Sequence, residues 1–329
     1  MTFPKASIVV PAYNAAATLA DTLRSLLAQT FQDMEIVVVN DCSTDDTLEV
    51  AAAFDDPRIR IVSQRNRGLS GARNGGIEAS RGAYIGFCDA DDLWLPEKLE
   101  RHVAHLSANP NLGLSYAGSE MIDGAGKPLG VRQSPRLTGI TAAHIFCRNP
   151  VGNGSVAVFR REALDAIRYR PRHETERDWW FDETFRQSED IEAWMRFALT
   201  ADWDIAGIDG HLTLYRVHTG GLSANIHCQF ESWTRMRAKV ADLSPRLDAS
   251  HGDRAAAYQL RYLARRAVKM GDGAAALGLI GQSLSASTRP LLEEPVKTAV
   301  TAAAAIVLAI AGRDRFAAVE AHILSARTA

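Results

Sequence analysis

The sequence predicts an α/β fold: a mostly parallel, twisted sheet with helices on both faces, followed by an all-helical C-terminal region. Short and nearly continuous apolar runs alternate with helical patterns through the first hundred residues. Runs of this kind are typical of parallel strands that are covered on both faces. Strand patterns stop after Ile226, and the remaining residues show only the apolar spacing of helices.

Local patterns justify the elements of the first hundred residues. Leu19, Leu23 and Leu26 recur on one helical face, and Pro96 suits the first turn of a helix. We predict strands over residues 6–10, 34–39, 59–62 and 84–88. Helices are predicted over residues 18–29, 43–54, 70–79 and 97–106.

The pattern becomes mixed beyond the first hundred residues. Short strands are predicted over residues 114–117, 155–159, 205–207 and 212–217, and helices over 142–147, 161–167 and 189–199. Proline or glycine divides the helical region at residues 244–245, 271–273, 289–290 and 312–313. We therefore expect two domains, an α/β domain over residues 1–225 and a helical domain over residues 226–329.

The charge of the chain is distributed unevenly. The 329 residues carry a net charge of −2, which gives no reason to expect a nucleic-acid partner. Residues 226–329 hold 14 Lys+Arg and 9 Asp+Glu, whereas the first 225 residues hold 23 and 30. This asymmetry indicates a different role for the C-terminal region, such as facing an anionic surface.

Several features predict a cytoplasmic protein. Met1 leads into the first strand without the basic and apolar segments of a secretory signal. The four cysteines are far apart, lack metal-ligand spacing and are expected to be reduced thiols. Residues 299–312 are an apolar stretch of 14 residues, short of the ~20 that span a bilayer, and they predict a buried helix.

Three carboxylates crowd into four residues after the fourth predicted strand, in Asp89-Ala90-Asp91-Asp92. A bound cation would relieve their repulsion, and a small number of carboxylates suits Mg²⁺ or Mn²⁺ with positions open for phosphate oxygens. The alternative is a solvated turn that caps the next helix, since Asp is a common N-cap residue.

Polar segments also follow the first two strands, at residues 11–14 and 40–45. Ligands of open parallel sheets bind outside the carboxyl ends of the strands, so all three polar segments are expected along one edge. Helices that begin beside them favour phosphate at their N-termini. The sequence therefore predicts a phosphate-binding edge.

Five ordered motifs carry a resemblance to a known family. They are IVVPAYN at 8–14, VVVNDCSTD at 37–45, NRGLSGARN at 66–74, GAYIGFCDADD at 82–92 and SEDIE at 188–192. Over roughly residues 5–223, the chain resembles the family 2 inverting glycosyltransferases, which have the GT-A fold. The resemblance implies that residues 1–225 are a catalytic domain that uses a nucleotide-sugar, in particular a UDP-sugar.

The resemblance also implies which residues hold the base of the donor. Pro11, Ala12 and Tyr13 would border the nucleobase, and Asn14 completes this donor-binding segment. Asp41 would accept a hydrogen bond from the uracil edge.

The remaining donor contacts follow from two further motifs. Family members often have Asp where this chain has Asn40, which bears on the identity of the base. Arg73 would help to seat the base or the phosphates, with a surface ion pair as the alternative. Asp89 would contact the ribose, and Asp91, beyond Ala90, would bind the Mn²⁺ or Mg²⁺ that bridges the two phosphates.

Inversion is a single in-line displacement that needs a base near the acceptor hydroxyl. The resemblance places this base at Asp190, and Glu189 would orient it or a hydroxyl of the donor sugar. The N-terminus of a helix is expected to keep Asp190 ionised. The alternative is that both carboxylates only complement the helix dipole.

Weaker features leave two interpretations each. Residues 179–181, Trp-Trp-Phe, could form a platform for the acceptor sugar or pack in the core. His218 could contact a phosphate or the metal, or be structural, and Asp92 could support the site or cap a helix. Residues 152–155 could bring backbone near the donor sugar or form an ordinary turn.

Other nucleotide-binding classes lack their motifs here. The first strand is not followed by the Gly-x-Gly-x-x-Gly of dehydrogenases, and residues 68–73 lack the lysine of a P-loop. A glycine- and arginine-rich loop typical of nucleotidyltransferases is also missing after the first strand. The alternative from another class is a nucleotide-sugar-binding or scaffolding subunit without turnover.

The acceptor is expected to be a glycan or a lipid-linked molecule in a surface polysaccharide pathway, by analogy with the family. Arg261, Arg265, Arg266 and Lys269 fall near one helical face. They could touch anionic lipid headgroups in a peripheral membrane contact, or form a solvated face beside a partner helix.

Overall fold

The computed structural model describes residues 3–217, 226–313 and 316. The chain forms two compact units: Met1–Ile145 with Asn149–Gly221, here unit 1, and Phe146–Arg148 with Leu222–Ala329, here unit 2. The predicted site residue His218 lies outside the described residues.

Within the described residues, unit 1 is built on one nine-stranded sheet. Its strands are β1 (Ala6–Ala12), β2 (Met34–Asn40), β3 (Ile59–Ser63), β4 (Tyr84–Phe87), β5 (Leu93–Trp94), β6 (Leu112–Ile122), β7 (Pro128–Gln133), β8 (Val158–Arg160) and β9 (Asp204–Arg216). The helices up to residue 200 are α1 (Leu19–Leu27), α2 (Thr47–Ala52), α3 (Gly68–Ala79), α4 (Lys98–Ala108), α5 (Ala142–Arg148), α6 (Arg161–Asp165) and α7 (Glu189–Thr200), with a 3-10 helix at Gly154–Val156.

The strand order is β3-β2-β1-β4-β8-β6-β9-β5, and β7 pairs with β6. The first four strands in this order are parallel. β8 is antiparallel to both of its neighbours, and the second half of the sheet is mixed. The predicted α/β fold with helices around a sheet is therefore confirmed, and the ends of β1, β2 and β4 lie along one edge.

Alternate residues of the central strands bury against helices on opposite faces. Ile8 of β1 belongs to a core cluster with Leu19 and Leu23 of α1. Val9 faces α3, where a Cβ added at Gly76 would lie 2.2 Å from Val9 Cγ1. Gly76 therefore lets α3 approach the sheet closely, which brings the first turn of α3 to the edge where the strands end.

The sequence does not predict β5 and β7, and it predicts the continuous strand β9 as two separate strands. β5 has only two residues, and all six residues of β7 are exposed, so neither shows an alternating apolar pattern. The strands predicted over residues 205–217 form the continuous β9, which passes through Gly210 at φ +104°. Glycine adopts this backbone conformation without strain, so the strand continues through the apparent break.

Unit 2 is helical, as predicted. Its helices are α8 (Ile226–Leu243), α9 (Pro245–Met270), α10 (Gly273–Ala286), α11 (Arg289–Glu293) and α12 (Pro295–Ala311). Each predicted break falls at or within one or two residues of the end of a helix. Leu263 and Ala267 of α9 pack with Ile280 of α10 and Ala305 of α12 in a common core.

The apolar helix α12 buries only one face, so the prediction of a buried helix is wrong for the other face. Three of the four buried residues are small or polar, Thr298, Thr301 and Ala305, and the fourth is Leu308. The larger apolar side chains point outward: Val296, Val300, Ile306, Val307 and Ile310. Every helix within the described ranges falls short of the length and apolarity of a membrane span.

The predicted basic face of unit 2 is also divided. Arg261 donates a 2.8 Å hydrogen bond to Thr298 Oγ1 and forms an ion pair with Glu294, which leaves its side chain largely buried. Arg265 and Lys269 are exposed. Arg261 therefore holds α12 against α9 and is not available to a lipid headgroup, contrary to the sequence-based hypothesis.

Candidate functional site

The segments that follow β1 and β2 are hydrogen-bonded to each other. Asn14 lies at φ +49°, its Oδ1 accepts a 2.8 Å bond from the Thr44 amide, and its own amide donates to Ser43 Oγ. Pro11 and Ala12 are buried, whereas the Tyr13 side chain is 53% exposed. The ring of Tyr13 is thus the part of this predicted donor segment that the nucleobase of a donor can reach.

Asp41 is buried at the end of β2, and its carboxylate organises the next loop. Oδ1 accepts hydrogen bonds from Gln64 Nε2 at 2.7 Å and from the Arg67 amide at 2.9 Å, and Oδ2 accepts from the Gly68 amide at 2.8 Å. A carboxylate oxygen has two lone pairs, so Oδ2 can accept one further bond. Sequence reasoning assigns Asp41 to the uracil edge and misses this second task.

The Asp89–Asp92 loop after β4 holds three carboxylates in three environments. The Asp89 side chain is partly exposed, as is Asp91 in the following turn. Asp92 is fully buried and accepts bonds from Ser155 Oγ at 2.6 Å and from the Arg216 amide at 2.9 Å. Burial, followed by the charges of Asp91 and Asp89, holds the pKa of Asp92 well above its ordinary value.

Side chains far away in the sequence support this loop. The carbonyl of Ala90 accepts bonds from Thr18, which directly precedes α1, and from Thr22 of α1, at 2.8 and 3.0 Å. Ser155 Oγ accepts a 2.9 Å bond from the Asp89 amide and donates to Asp92. Asp92 thus supports the loop from beneath, one of the two roles that the sequence allows.

Arg73 joins the Asp89 loop to α7. It lies in α3 with 1% of its side chain exposed. Nη2 donates to Asp89 Oδ1 and Nη1 donates to Glu189 Oε1, both at 2.7 Å. Burial lowers the pKa of Arg73, but the charges of Asp89, Glu189 and Asp190 outweigh it, so the pKa is raised. The alternative interpretation, a surface ion pair, is therefore wrong, because the guanidinium is internal.

Asp190 begins α7 next to this bridge. The preceding Ser188 is in the left-handed region at φ +60°, and Asp190 Oδ1 accepts a 2.7 Å bond from the Ile191 amide. Burial and then the Glu189 carboxylate raise the pKa of Asp190 to about 7, against the opposing charge of Arg73. The expectation that the helix N-terminus keeps this pKa low is wrong, because desolvation and the neighbouring charge are larger effects.

The carboxylates of the Asp89 loop allow the implied divalent cation to be tested against the donor set. Asp89 and Asp91 are both partly exposed, and Asp92 is buried. Asp89 accepts a bond from Arg73 and Asp92 accepts one from Ser155. Among the described residues, no three His, Cys, Asp or Glu side chains form a metal cage. These residues fit a cation that is held by one or two carboxylates together with phosphate oxygens, as Mg²⁺ commonly is.

The aromatic residues 179–181 belong to the core and not to an exposed acceptor platform. Trp179, Trp180 and Phe181 are 4%, 5% and 1% exposed. Asn74 Oδ1 accepts from the amides of Trp180 and Phe181, and its Nδ2 donates to the Phe181 carbonyl. Asn74 therefore supports the backbone of this aromatic segment, a role that its place in the motif at 66–74 does not reveal.

A charged network fixes the segment before α7 to the loop that Asp41 organises. Arg67 pairs with Glu174, Glu176 and Glu183, and Arg177 pairs with Glu183 at 2.8 Å. The three pairs of Arg67 join residues that are about 110 positions apart in the chain. The only sequence signal for them is an arginine in a motif and a downstream excess of glutamate.

The geometry brings most of the predicted residues into one connected region. Asp89 and Glu189 share Arg73, and the loop held by Asp41 continues directly into α3, which carries Arg73. Two surface cavities, of about 240 and 380 Å³, are lined by other residues, such as Arg161 and Asn109.

Comparisons with known proteins find similarity to glycosyltransferases. The model of glycosyl transferase family 2 matches residues 7–168. The succinoglycan biosynthesis protein ExoO of Rhizobium meliloti is 45% identical over 106 residues, 32% of this chain and 30% of that protein. An uncharacterized glycosyltransferase of Nostoc is 34% identical over 174 residues, 50% of this chain and 53% of that protein.

A third relative has a more specific name. It is the UDP-Glc:alpha-D-GlcNAc-diphosphoundecaprenol beta-1,3-glucosyltransferase WfgD of Escherichia coli, 35% identical over 118 residues. The match covers 36% of this chain and 46% of WfgD. The chain thus spans about half or less of the length of these curated relatives.

Solved structures share the fold. S. aureus TarS 1-349 in complex with UDP-GlcNAc has a TM-score of 0.60 at 19% identity, covering 94% of this chain and 92% of that one. Mannosyltransferase PcManGT from Pyrobaculum calidifontis, in complex with GDP-Man and Mn²⁺, has a TM-score of 0.57 at 20% identity and covers 94% and 87%. The fold is that of the GT-A glycosyltransferases, and residues 7–168 of the chain match glycosyl transferase family 2.

Proposed function

We propose that this protein is an inverting glycosyltransferase that moves a sugar from a UDP-sugar to an acceptor hydroxyl. The observation that carries the proposal is the buried bridge from Asp89 through Arg73 to Glu189, beside Asp190. It connects a carboxylate at the predicted donor edge to Glu189, the residue next to the proposed base Asp190. A pKa of about 7 lets Asp190 be ionised and accept a proton near neutral pH.

The donor site in this proposal lies along the ends of β1, β2 and β4. Tyr13 presents an exposed ring for the base, and Asp41 Oδ2 retains acceptor capacity for an N–H of uracil. A UDP donor is supported by the name of WfgD and by the UDP-GlcNAc complex of TarS. Because PcManGT is in complex with GDP-Man, GDP-mannose is the control donor for this part of the proposal.

The chemical step is a single displacement. Asp190 takes the proton of the acceptor hydroxyl. At the same time, the oxygen of that hydroxyl bonds to the anomeric carbon from the face opposite the diphosphate. The bond between that carbon and the β-phosphate oxygen breaks, and nucleoside diphosphate leaves with the electron pair. Glu189 holds the first turn of α7 in place through Arg73.

Asp91, with Asp89 nearby, would hold Mn²⁺ or Mg²⁺ in this proposal. When bound, the cation supplies positive charge that stabilises the leaving diphosphate. His218 stays a predicted additional ligand, outside the described residues.

The proposed acceptor is a glycan or a lipid-linked glycan in polysaccharide biosynthesis. ExoO and WfgD support this class by their names, and the WfgD name includes a diphosphoundecaprenol acceptor. The test is a panel of UDP-sugars and GDP-mannose with Mn²⁺, in which release of free nucleotide and transfer to added acceptor are both measured. Nucleotide binding without release from any donor would instead favour a binding or scaffolding subunit.

We also propose that unit 2 contacts a membrane surface through α12. Val296, Val300 and Ile310 are 73%, 63% and 82% exposed, and the outward face has no charge from residue 298 to residue 311. The exposed Lys297 and Arg289 near its beginning lie 2.8 and 4.0 Å from Glu294 and Glu293, so both signs of charge flank the face. A long apolar helix face beside exposed charged residues is typical of a helix that lies in the membrane interface.

Sedimentation with phosphatidylglycerol vesicles tests this contact. We expect Val300→Asp with Ile310→Asp to abolish binding, and Leu48→Asp, at an exposed leucine of unit 1, to leave it unchanged. A concentration-dependent dimer that the same pair of changes disrupts, without vesicle binding, would replace the membrane with a second copy of the chain.

A further inference from the structure

We propose that Arg73 is a positioning residue that locks the base-bearing turn of α7 to the donor-binding loop, and that Gly154 makes this lock sterically possible. The inference rests on the proposed function and gives Arg73 a different task from the sequence-based one. Arg73 acts on the donor through Asp89, and on the catalytic base Asp190 through Glu189. Its loss would therefore disturb the relative placement of two substrates more than the binding of either.

The first support is that the guanidinium is fixed at both ends and shielded from solvent. Its two terminal nitrogens are used by carboxylates on different elements, α7 and the loop after β4. Nε is buried without a hydrogen-bond partner. The buried Phe181 ring centroid lies 5.3 Å from Cζ, so an aromatic side chain borders the group. A direct contact between Arg73 and the donor is therefore not what this geometry provides.

The second support is the backbone of Gly154 against the guanidinium. A Cβ added there would lie 2.2 Å from Arg73 Nη2 and 2.7 Å from Cζ. Such distances are far below van der Waals contact, so any side chain at 154 would displace the guanidinium. Gly154 begins the 3-10 helix, and Ser155 of the same helix hydrogen-bonds to Asp89 and Asp92. This segment therefore holds the Asp89 loop beside the Arg73 guanidinium.

The third support is the chemistry of arginine. A planar guanidinium presents N–H groups in a fixed fork, so two carboxylates can be held at a set separation. A lysine ammonium at this position would keep the charge but would lack the fork. Lysine is therefore the variant that separates charge from positioning.

Steady-state kinetics with the donor and acceptor found active supply the first test. We expect Arg73→Lys to lower kcat by about 10²-fold, the scale of a misplacement near 1 Å, with a much smaller change in donor KM. Gly154→Ala should lower kcat in the same manner although it removes no functional group. Gly278→Ala is the matched control, because an added Cβ there meets nothing within 4 Å.

The pH profile of kcat distinguishes positioning of the base from general damage. Arg73→Gln removes the positive charge beside Asp190, so the midpoint of the profile should move to higher pH. Arg73→Lys should move it less. Unchanged kcat and an unchanged midpoint in Arg73→Gln, with an active wild type, would overturn the inference and leave the proposed function intact.

Urea unfolding supplies a test that needs no turnover. The effects of Asp89→Asn and Glu189→Gln on the unfolding midpoint should be non-additive when Arg73 is present, and additive in an Arg73→Met background. Additive effects in both backgrounds would overturn the lock. Absence of transfer by the wild type with every donor would instead count against the proposed function alone.

Discussion

Ser155 Oγ donates a 2.6 Å hydrogen bond to Oδ2 of Asp92, and the same oxygen accepts a 2.9 Å bond from the Asp89 amide. One hydroxyl thus supports the buried carboxylate beneath the loop and the first residue of the loop itself. The two ends of this contact are 63 residues apart in the chain.

Replacing Ser155 with Ala should destabilise the protein. The buried Asp92 carboxyl would lose one partner, and an unsatisfied buried polar group costs about 1–3 kcal/mol. The measurement is the urea midpoint of unfolding. Ser134→Ala is the control, because its hydroxyl bonds only at the surface and such changes stay within about 0.5 kcal/mol. Equal midpoints for the two variants would contradict the supporting role of Ser155.

The proposed base predicts a pH-dependent rate. Asp190 can accept a proton only when ionised, and its pKa is raised to about 7, so kcat should rise through pH 7 and level off above it. Asp190→Asn should lose about 10²–10⁴-fold in kcat while it still binds nucleotide. The exposed Asp202→Asn is the control. A variant at position 190 with the wild-type rate would exclude the residue as the base.

The proposed cation site predicts a selective loss of metal response. Asp91→Asn should weaken Mn²⁺ affinity by at least the roughly 10–100-fold seen when outer partners of metal ligands are removed. Thermal shift with UDP, at increasing Mn²⁺ concentrations, measures this directly. Asp209→Asn, on exposed β9 surface, should behave as wild type. The same Mn²⁺ response in both variants would remove Asp91 from the site.

Lys98 predicts how stability depends on pH. It is fully buried, donates a 2.9 Å bond to the Val156 carbonyl, and burial lowers its pKa from 10.5 to about 7. Between these values the unfolded chain binds more protons, so stability should rise with pH, by up to about 1.4 kcal/mol per unit. Urea midpoints at pH 7 and 8.5 test this, and Lys98→Met should abolish the rise. An equal rise in both proteins would assign it to other groups.

The sequence predicts the parallel half of the sheet and most breaks of unit 2 because local pattern determines them, but it does not predict the break before Pro295. Apolar runs set β1 and β2, and a glycine or proline marks each break between the C-terminal helices. The three polar strand ends also follow, since parallel strands place their carboxyl ends on one edge. The motifs supply Asp89 and Glu189, but not the fact that they share one arginine.

The rest depends on contacts that no local pattern contains. The burial of Arg73 requires space at Gly154, 81 positions later in the chain. The orientation of α12 is set by Arg261, which bonds Thr298 and turns the small residues inward. The pKa of Asp190 depends on desolvation and a neighbouring carboxylate, which outweigh the helix N-terminus.

The carboxylate of Asp41 has a thermodynamic consequence. Its three hydrogen bonds to residues 64–68 hold that loop in place through groups of the chain itself. Because the loop is already fixed, a ligand that binds there would remove little conformational freedom. Association at this edge is therefore expected to carry a small entropy cost and to need no folding of the loop around the ligand.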